Sequence, residues 1–384
     1  MSAQDSLSHE EFEMFRDMAK KFLAKEIAPH HQKWEEQGFL PREVWDTFGQ
    51  AGMLCVDLPV EYGGSGVDFR FSQLILAEIA RLGFVGLSGS VAIHSDIVAQ
   101  YILNIANEEQ KQYWLPKMAT AEVVTAIAMT EPGAGSDLQG MRSTAIKEGD
   151  EYILNGSKTF ITNGINADMV VVCAKTDPKA GGKGISLFLV DTKLEGFNKG
   201  KRLEKIGQHA GDTAELFFEN VRLPASALLG EEGNGFKYLM QELPRERVSI
   251  ATTSVAAAEG ALDWTIEYVQ ERKAFGKSIS QFQNTRFKLA EVKTDIEINK
   301  AYTEKCVEKY MNGTMTVTEA AMVKLAATEM QCRVVNECLQ LFGGYGYMAE
   351  YPIARAYVDA RVQTIYAGTS EIMKEVISRD LLGR

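Results

Sequence analysis

The chain has 384 residues, 45% hydrophobic and 24% charged, with 33 Gly and 9 Pro, a globular composition that excludes a disordered chain and sets a length-based expectation of about two to three domains. A formal net charge of −11, from 52 Asp+Glu against 41 Lys+Arg, sets nucleic-acid binding aside, because that class needs a basic face. The same charge requires that an anionic ligand be held by local Arg, Lys or helix-end contacts.

The N-terminus, MSAQDSLSHEEFEMFRDMAKKF, is acidic and has no apolar core of the kind a secretory leader carries. No apolar run reaches the length of a membrane span. The five cysteines, at 55, 173, 306, 332 and 338, contain no C-x-x-C pair and read as buried thiols of a reducing compartment. These features predict a cytoplasmic protein without a membrane span.

Residues 1–122 read as an α-helical domain. HEEFEMFRDMAKKFLAKEI, FRFSQLILAEIARLG and NEEQKQYWLPKMA repeat apolar residues at three-to-four spacing. PVEYGGSGVD at 59–68 is a glycine loop between two of them. From 123 to 232 the character changes to closely spaced β-type runs: VVTAIAMT, EYILNGSKTFITNG, ADMVVVCAK, GISLFLVDT and TAELFFENVRLP. Asn155-Gly156 and Asn163-Gly164 read as turns bounding them. Strands without intervening helices predict an antiparallel sandwich or barrel. From 233 to 384 the helical period returns. In 316–342, Val323, Ala327, Met330, Val334, Cys338 and Leu341 form one stripe, with Thr316 and Glu319 at capping-box spacing and Gly343-Gly344 at the end. The expected fold class is α+β: an N-terminal all-α domain, a middle antiparallel β domain and a C-terminal four-helix bundle.

TEPGAGSDLQG (130–140) follows an apolar run but is not a dinucleotide fingerprint, since Leu138 stands where the third glycine is required. The loop is either an ordinary hairpin connection or a cradle for a phosphate or a flavin edge. Gly276-Lys277-Ser278 resembles the end of a phosphate-binding loop, but Glu271 occupies the position of its first glycine. No H-E-x-x-H or G-x-S-x-G is present, and His94 and the His30-His31 pair read as surface or packed side chains, so no metal site is expected. Glu246, in ELPRERVSIATTSVAAAEG, shares a helical face with Ile250, Thr253 and Ala257. It is either a base made more basic by apolar neighbours or a partner in a salt bridge.

As a set, these segments resemble the acyl-CoA dehydrogenase family over nearly the whole chain. AMTEPGAGSDLQG (128–140) and QLFGGYGYMAEYPIARAYVD (340–359) are the most specific, supported by ERKAFGKSISQFQ (271–283) and IYAGTSEIMK (365–374). The family binds FAD and oxidises the Cα–Cβ bond of an acyl-CoA to a trans-2-enoyl-CoA. The resemblance implies that Met129, Thr130, Gly135 and Ser136 lie along the flavin, with Ser136 also on the substrate side. It implies that Phe160, Ile161 and Thr162 cover another edge, with Phe160 where many relatives have Trp. Arg272, Phe275 and Gln283 look like residues that reach the FAD of a neighbouring subunit, and the resemblance implies that Gln340, Gly343 and Gly344 of that neighbour touch the adenosine-diphosphate portion. Thr369 and Glu371 follow the substrate turn Tyr366-Ala367-Gly368 and face the same cofactor. Arg247 looks like a substrate contact.

One position departs from the commonest family pattern. Many members carry the catalytic Glu immediately before the Gly-Thr of the turn, where this chain has Ala367. In the long-chain and isovaleryl branches the base sits on an earlier helix, and MQELPRERV places Glu246 there. The resemblance then implies that Glu246 takes the α-proton while the β-hydride passes to flavin N5. It also implies that the Ala367 N–H stabilises the thioester oxygen. A backbone donor survives side-chain replacement.

ELPRER and DTAELFFENVRLPASALLGEE look most like the long-chain branch, so a medium-to-long acyl chain is expected. Isovaleryl- or citronellyl-type branched substrates are the alternative. A flavin oxidase or monooxygenase, or a non-catalytic subunit, are further readings. The implied partners are an acyl-CoA, an electron-transferring flavoprotein, and further copies of the chain in a homotetramer with shared FAD sites.

Overall fold

Three-to-four periodicity in the first third of the chain yields α1 (His9–Phe22), α2 (Ala28–Gln37), α3 (Arg42–Gln50), α4 (Phe69–Arg81), α5 (Val85–Val91), α6 (Ala99–Ile105) and α7 (Glu108–Ala119). The structure, a computed structural model, describes residues 9–383. Met1–Ser8, on which part of the leader reading rests, lie outside the described residues. Contact density divides the chain into two units. The first holds the chain through Ser72, Gly89–Lys205 and His209–Leu243; the second holds Gln73–Ser88, Ile206–Gln208 and the chain from Pro244.

In the first unit, Trp45, Phe48, Phe71 and Tyr101 are fully enclosed. Asn107 and Gln110 form a reciprocal capping box that starts α7. A π-helical turn, Ala92–Val98, joins α5 to α6 and buries His94. His94 Nδ1 accepts the Thr125 N–H at 3.2 Å, and Nε2 donates to the Met118 carbonyl at 3.0 Å. Burial pulls its pKa down to about 4. It is therefore a neutral, packed histidine.

The strands are β1 (Thr125–Ala128), β2 (Thr144–Glu148), β3 (Glu151–Thr162), β4 (Met169–Lys175), β5 (Ile185–Asp191), β6 (Phe197–Arg202), β7 (Thr213–Pro224) and β8 (Leu228–Leu229). They form one sheet in the order β6-β7-β3-β2-β4-β5-β8, with β1 beside β4. Pairing is predominantly antiparallel. The exceptions are β1 against β4, in register Thr125↔Met169, and a single contact of β2 with β4. Leu154, Val170, Val172, Phe188, Leu216 and Phe218 alternate into its core. Asn155-Gly156 is not a turn, contrary to the dipeptide reading. It lies inside β3 at an irregularity in the pairing with β7. Gly156 has φ 145°, and a Cβ there would stand 2.2 Å from Ser143 Oγ. The glycine serves close approach at a bulge. Asn163-Gly164 does turn the chain, with Asn163 at φ 63°.

The second unit holds most of α4 and the start of α5 together with α8 (Gly235–Glu271, which begins in the first unit), α9 (Gln283–Met311), α10 (Val317–Phe342), α11 (Pro352–Ala360) and α12 (Ser370–Leu381). Pro244 lies inside α8 and cannot donate to the carbonyl one turn back. Ala77, Ala80, Val85, Ala256 and Ala257 cluster, and small side chains bring α4 and α8 close: a Cβ on Gly260 would stand 2.0 Å from the Arg81 carbonyl. α10 opens on the expected Thr316–Glu319 capping box and ends at Gly343. Its stripe is buried except for half-exposed Leu341. A second row, Ala320, Lys324, Thr328 and Gln331, is buried as well. Among the described residues, no helix is long and apolar enough to cross a membrane.

Candidate active site

In the first unit, β1 delivers Met129 and Thr130 to the glycine loop. Lys158, fully buried on β3, donates to the Met129 carbonyl at 3.1 Å and to Glu131 Oε1 at 2.9 Å. Glu131 also accepts the N–H groups of Arg142 (2.6 Å) and Ser143 (2.9 Å). Burial alone raises the Glu131 carboxyl, but the Lys158 charge and these donors outweigh it and hold the group below its ordinary value. Thr159 N–H donates to the Thr130 carbonyl at 2.9 Å, tying loop to strand. Between these anchors, Gly133, Gly135 and Ser136 are exposed. Phe160 follows on β3 with φ 60° and 68% of its surface exposed. Ile161 points into the core, and Thr162 is half-buried. Met129, Thr130, Gly135, Ser136 and Phe160 thus belong to one anchored loop-and-strand element whose exposed backbone and aromatic ring suit a flat, polar-edged group.

In the second unit, α8 presents Arg245, Glu246 and Arg247, all buried. Burial lowers the Arg247 guanidinium, partly countered by Glu246. Its Nε is buried without a hydrogen-bond partner among the described residues. Arg247 Nη2 stands 3.8 Å from the Cβ position at Gly368, so α8 meets the turn between α11 and α12. That turn is bent: Ala367 has φ 49° and Gly368 φ 97°. A left-handed alanine costs about 1 kcal/mol, so its surroundings must hold it. Tyr366 donates its hydroxyl to Gln363 Oε1. Thr369 caps α12 by accepting the Ile372 N–H at 3.3 Å. Glu371 lies exposed in the first turn, its carboxyl lowered by backbone and Thr369 hydrogen bonds. Buried Lys324 of α10 donates to the Gly368 carbonyl at 2.8 Å.

Arg272, Gln340, Gly343 and Gly344 line a separate cleft of about 530 Å³ in the same unit, with Tyr268, Tyr345 and Met348. Arg272 lies over the Tyr345 ring at 5.3 Å. Gly343, at φ 59° and ψ −136°, adopts a conformation that only glycine enters readily, and a Cβ on it or on Gly344 would meet nothing within 4 Å. A cation beside open glycine backbone suits a pyrophosphate. Next to it, β9 (Lys273–Ala274) and β10 (Lys277–Ser278) form a hairpin with Phe275 at its tip, 95% exposed. Consecutive positive φ at Phe275 and Gly276 makes this tip a tight hairpin turn. Gln283 is exposed at the start of α9.

A larger cavity, about 710 Å³, lined in part by Lys288, Asp295, Arg333, Tyr357 and Arg361, contains none of the expected site residues. The turn and the Arg272 cleft, where the expected residues lie, are therefore the candidate sites. Sequence reasoning missed the Lys158–Glu131 pair and Lys324. The signal for Lys324 was its place beside the apolar stripe of α10, next to Val323.

Acyl-CoA dehydrogenase N-terminal, middle and C-terminal domains match residues 9–122, 126–221 and 233–382. The chain is 50% identical to the long-chain specific acyl-CoA dehydrogenase of Sus scrofa, covering 97% of this chain and 86% of that protein. It is 36% identical to isovaleryl-CoA dehydrogenase of Solanum tuberosum, covering 96% and 89% respectively. A crystal structure of an acyl-CoA dehydrogenase from Geobacillus kaustophilus superposes with a TM-score of 0.95 at 50% identity, covering 98% of this chain and 99% of that one.

Proposed function

The chain belongs to the acyl-CoA dehydrogenase family, and from that premise we propose that it oxidises medium-to-long-chain acyl-CoA with Glu246 as the base. It is an FAD-dependent oxidoreductase acting on CH–CH bonds of acyl-CoA. When bound, FAD supplies the two-electron acceptor for the β-hydrogen. The anchored loop residues Met129, Thr130, Gly135 and Ser136, with Phe160–Thr162, hold the cofactor. Arg272, Phe275 and Gln283 reach the FAD of a neighbouring subunit, and that neighbour's own Gln340, Gly343 and Gly344 serve its adenosine diphosphate portion. Thr369 and Glu371 are assigned to the cofactor side of the turn.

The observation that carries the mechanism is local to the second unit. A buried carboxylate, Glu246, adjoins Arg247, which approaches the Gly368 turn where the commonest family base is replaced by Ala367. An α-proton next to a thioester is removable by a carboxylate only if charge on the carbonyl oxygen is stabilised as it develops. The Ala367 N–H makes that contact, and Glu246 takes the proton. The unpartnered Arg247 Nε is a donor for an oxygen of the substrate. Tyr366, Ala367 and Gly368 shape the wall beside it, and Ser136 is a further substrate contact.

The same reading assigns three domains, 1–122, 123–232 and 233–384, an electron-transferring flavoprotein as acceptor and a homotetrameric assembly. It is supported by the domain matches and by the exposed Phe275 hairpin, an apolar tip suited to cover.

The test mixes FAD-loaded protein anaerobically with isovaleryl-, octanoyl- and palmitoyl-CoA and follows flavin absorbance. Fast bleaching by octanoyl- or palmitoyl-CoA is expected. Preference for isovaleryl-CoA would transfer the assignment to the branched-chain reading. Glu246→Gln is expected to slow bleaching by about 10²–10⁴-fold with FAD retained; an unchanged rate removes Glu246 from the mechanism.

A further inference from the structure

We propose that Lys324 is a positioning residue that clamps the Tyr366–Thr369 turn so that the Ala367 N–H faces the reacting thioester oxygen. The proposal rests on the preceding assignment of that turn. Lys324 is fully buried, and its Nζ donates to the Gly368 carbonyl at 2.8 Å. That carbonyl joins the second of two left-handed residues to Thr369, the cap of α12. The bent turn is therefore held on its C-terminal side by a charged donor and a helix cap together. Without the clamp, Ala367 is free to relax toward the ordinary right-handed region, which rotates its N–H away.

A buried ammonium on a carbonyl, with no carboxylate in ion-pair contact among the described residues, is an expensive way to hold a loop. The groups facing it are Arg247 on α8, Glu329 and Cys332 on α10, and Glu371 on α12. Glu329 is already engaged, accepting the Ser370 hydroxyl at 2.5 Å. Burial and then the Arg247 charge bring the Lys324 pKa down to about 8, despite the opposing pull of Glu329, Cys332 and Glu371. The clamp is thus charged at neutral pH and loses its charge in mildly alkaline solution. A neutral amine is a weaker donor, so the turn loosens as the proton leaves.

The experiment compares FAD-loaded wild type, Lys324→Met and Lys324→Arg. Hydrogen exchange is measured over the peptide containing 365–372, and flavin reduction by saturating palmitoyl-CoA is followed from pH 6 to 10. For Lys324→Met the expectation is about tenfold faster exchange at the turn and at least tenfold slower reduction, with KM changed by less than about threefold. The reduction rate of wild type should fall as pH rises through about 8. That limb should be absent in Lys324→Arg, whose charge persists. Unchanged exchange in Lys324→Met, or faster exchange with a normal reduction rate, overturns the proposal. If Lys324→Met fails to retain FAD, the pH profiles decide: the same alkaline limb in wild type and Lys324→Arg overturns it. Wild type that no acyl-CoA reduces would instead sink the proposed function, while the exchange result still reports on the clamp.

Discussion

Two lysines with no exposed side-chain surface stand at the two candidate loops, and they are held differently. Lys158 in the first unit ends on a carboxylate, Glu131, whose remaining oxygen positions accept two backbone N–H groups. Lys324 in the second unit ends on a peptide carbonyl beside another cation, Arg247. The first arrangement satisfies both charges and makes a rigid connection. The second leaves a charge only partly compensated, at a turn with a strained alanine. A buried charge with a full partner is compatible with a purely structural role. One without it calls for a reason, and the reason offered by its position is control of the turn.

The largest expected effect tests the paired side. Lys158→Met leaves the Glu131 carboxylate buried without its cation and should destabilise the protein by about 3–5 kcal/mol in urea unfolding. Adding Glu131→Gln, which removes the unpaired charge and keeps an oxygen for one of the two backbone N–H groups, should recover part of that loss. If the single substitution is neutral, the pair is not the anchor described.

His94 sharpens the comparison from a third side, because it meets burial by giving up its charge. With a native pKa of about 4 against an ordinary 6.5, the unfolded chain binds the proton first as pH falls. Stability is therefore present in full above about 6.5 and is lost between 6.5 and 4, by about 3 kcal/mol. The difference in unfolding free energy between wild type and His94→Gln, followed by urea titration from pH 7 to 4, should narrow by that amount; a constant difference contradicts a buried neutral histidine.

The smallest effect is expected on the unpaired side. At pH 7, Lys324→Met should change stability by only about 1 kcal/mol, because the lost hydrogen bond is offset by relief of a buried charge. Between the native pKa of about 8 and the ordinary 10.5, the unfolded state binds the proton and the native state does not. Wild type should therefore gain stability relative to Lys324→Met as pH rises through that window. A gain in the opposite direction would show that the folded protein keeps Lys324 charged.

Much of the fold was legible because its signals are local. The capping box at Thr316 and Glu319, the Gly343 stop and the change of period near Val123 each involve residues close in sequence. Asn155-Gly156 misled for the same reason. As a dipeptide it signals a turn, yet the space for a glycine is set by Ser143, across the sheet. The residues proposed for the site come from their motifs, but the contacts that hold them were not legible there. Glu131 and Lys158 are 27 positions apart, and Lys324 and Gly368 are 44 apart. No periodicity couples such pairs.

Sequence alone determined the succession of helices, strands and helices, the family, the loss of a carboxylate at Ala367 and the presence of one at Glu246. These are properties of residue type and near-neighbour spacing, written along the chain. Tertiary structure decided which of the buried charges are satisfied, which glycine is needed for a close approach and which side chain grips the turn. Those outcomes depend on distance and dielectric between segments that only folding brings together.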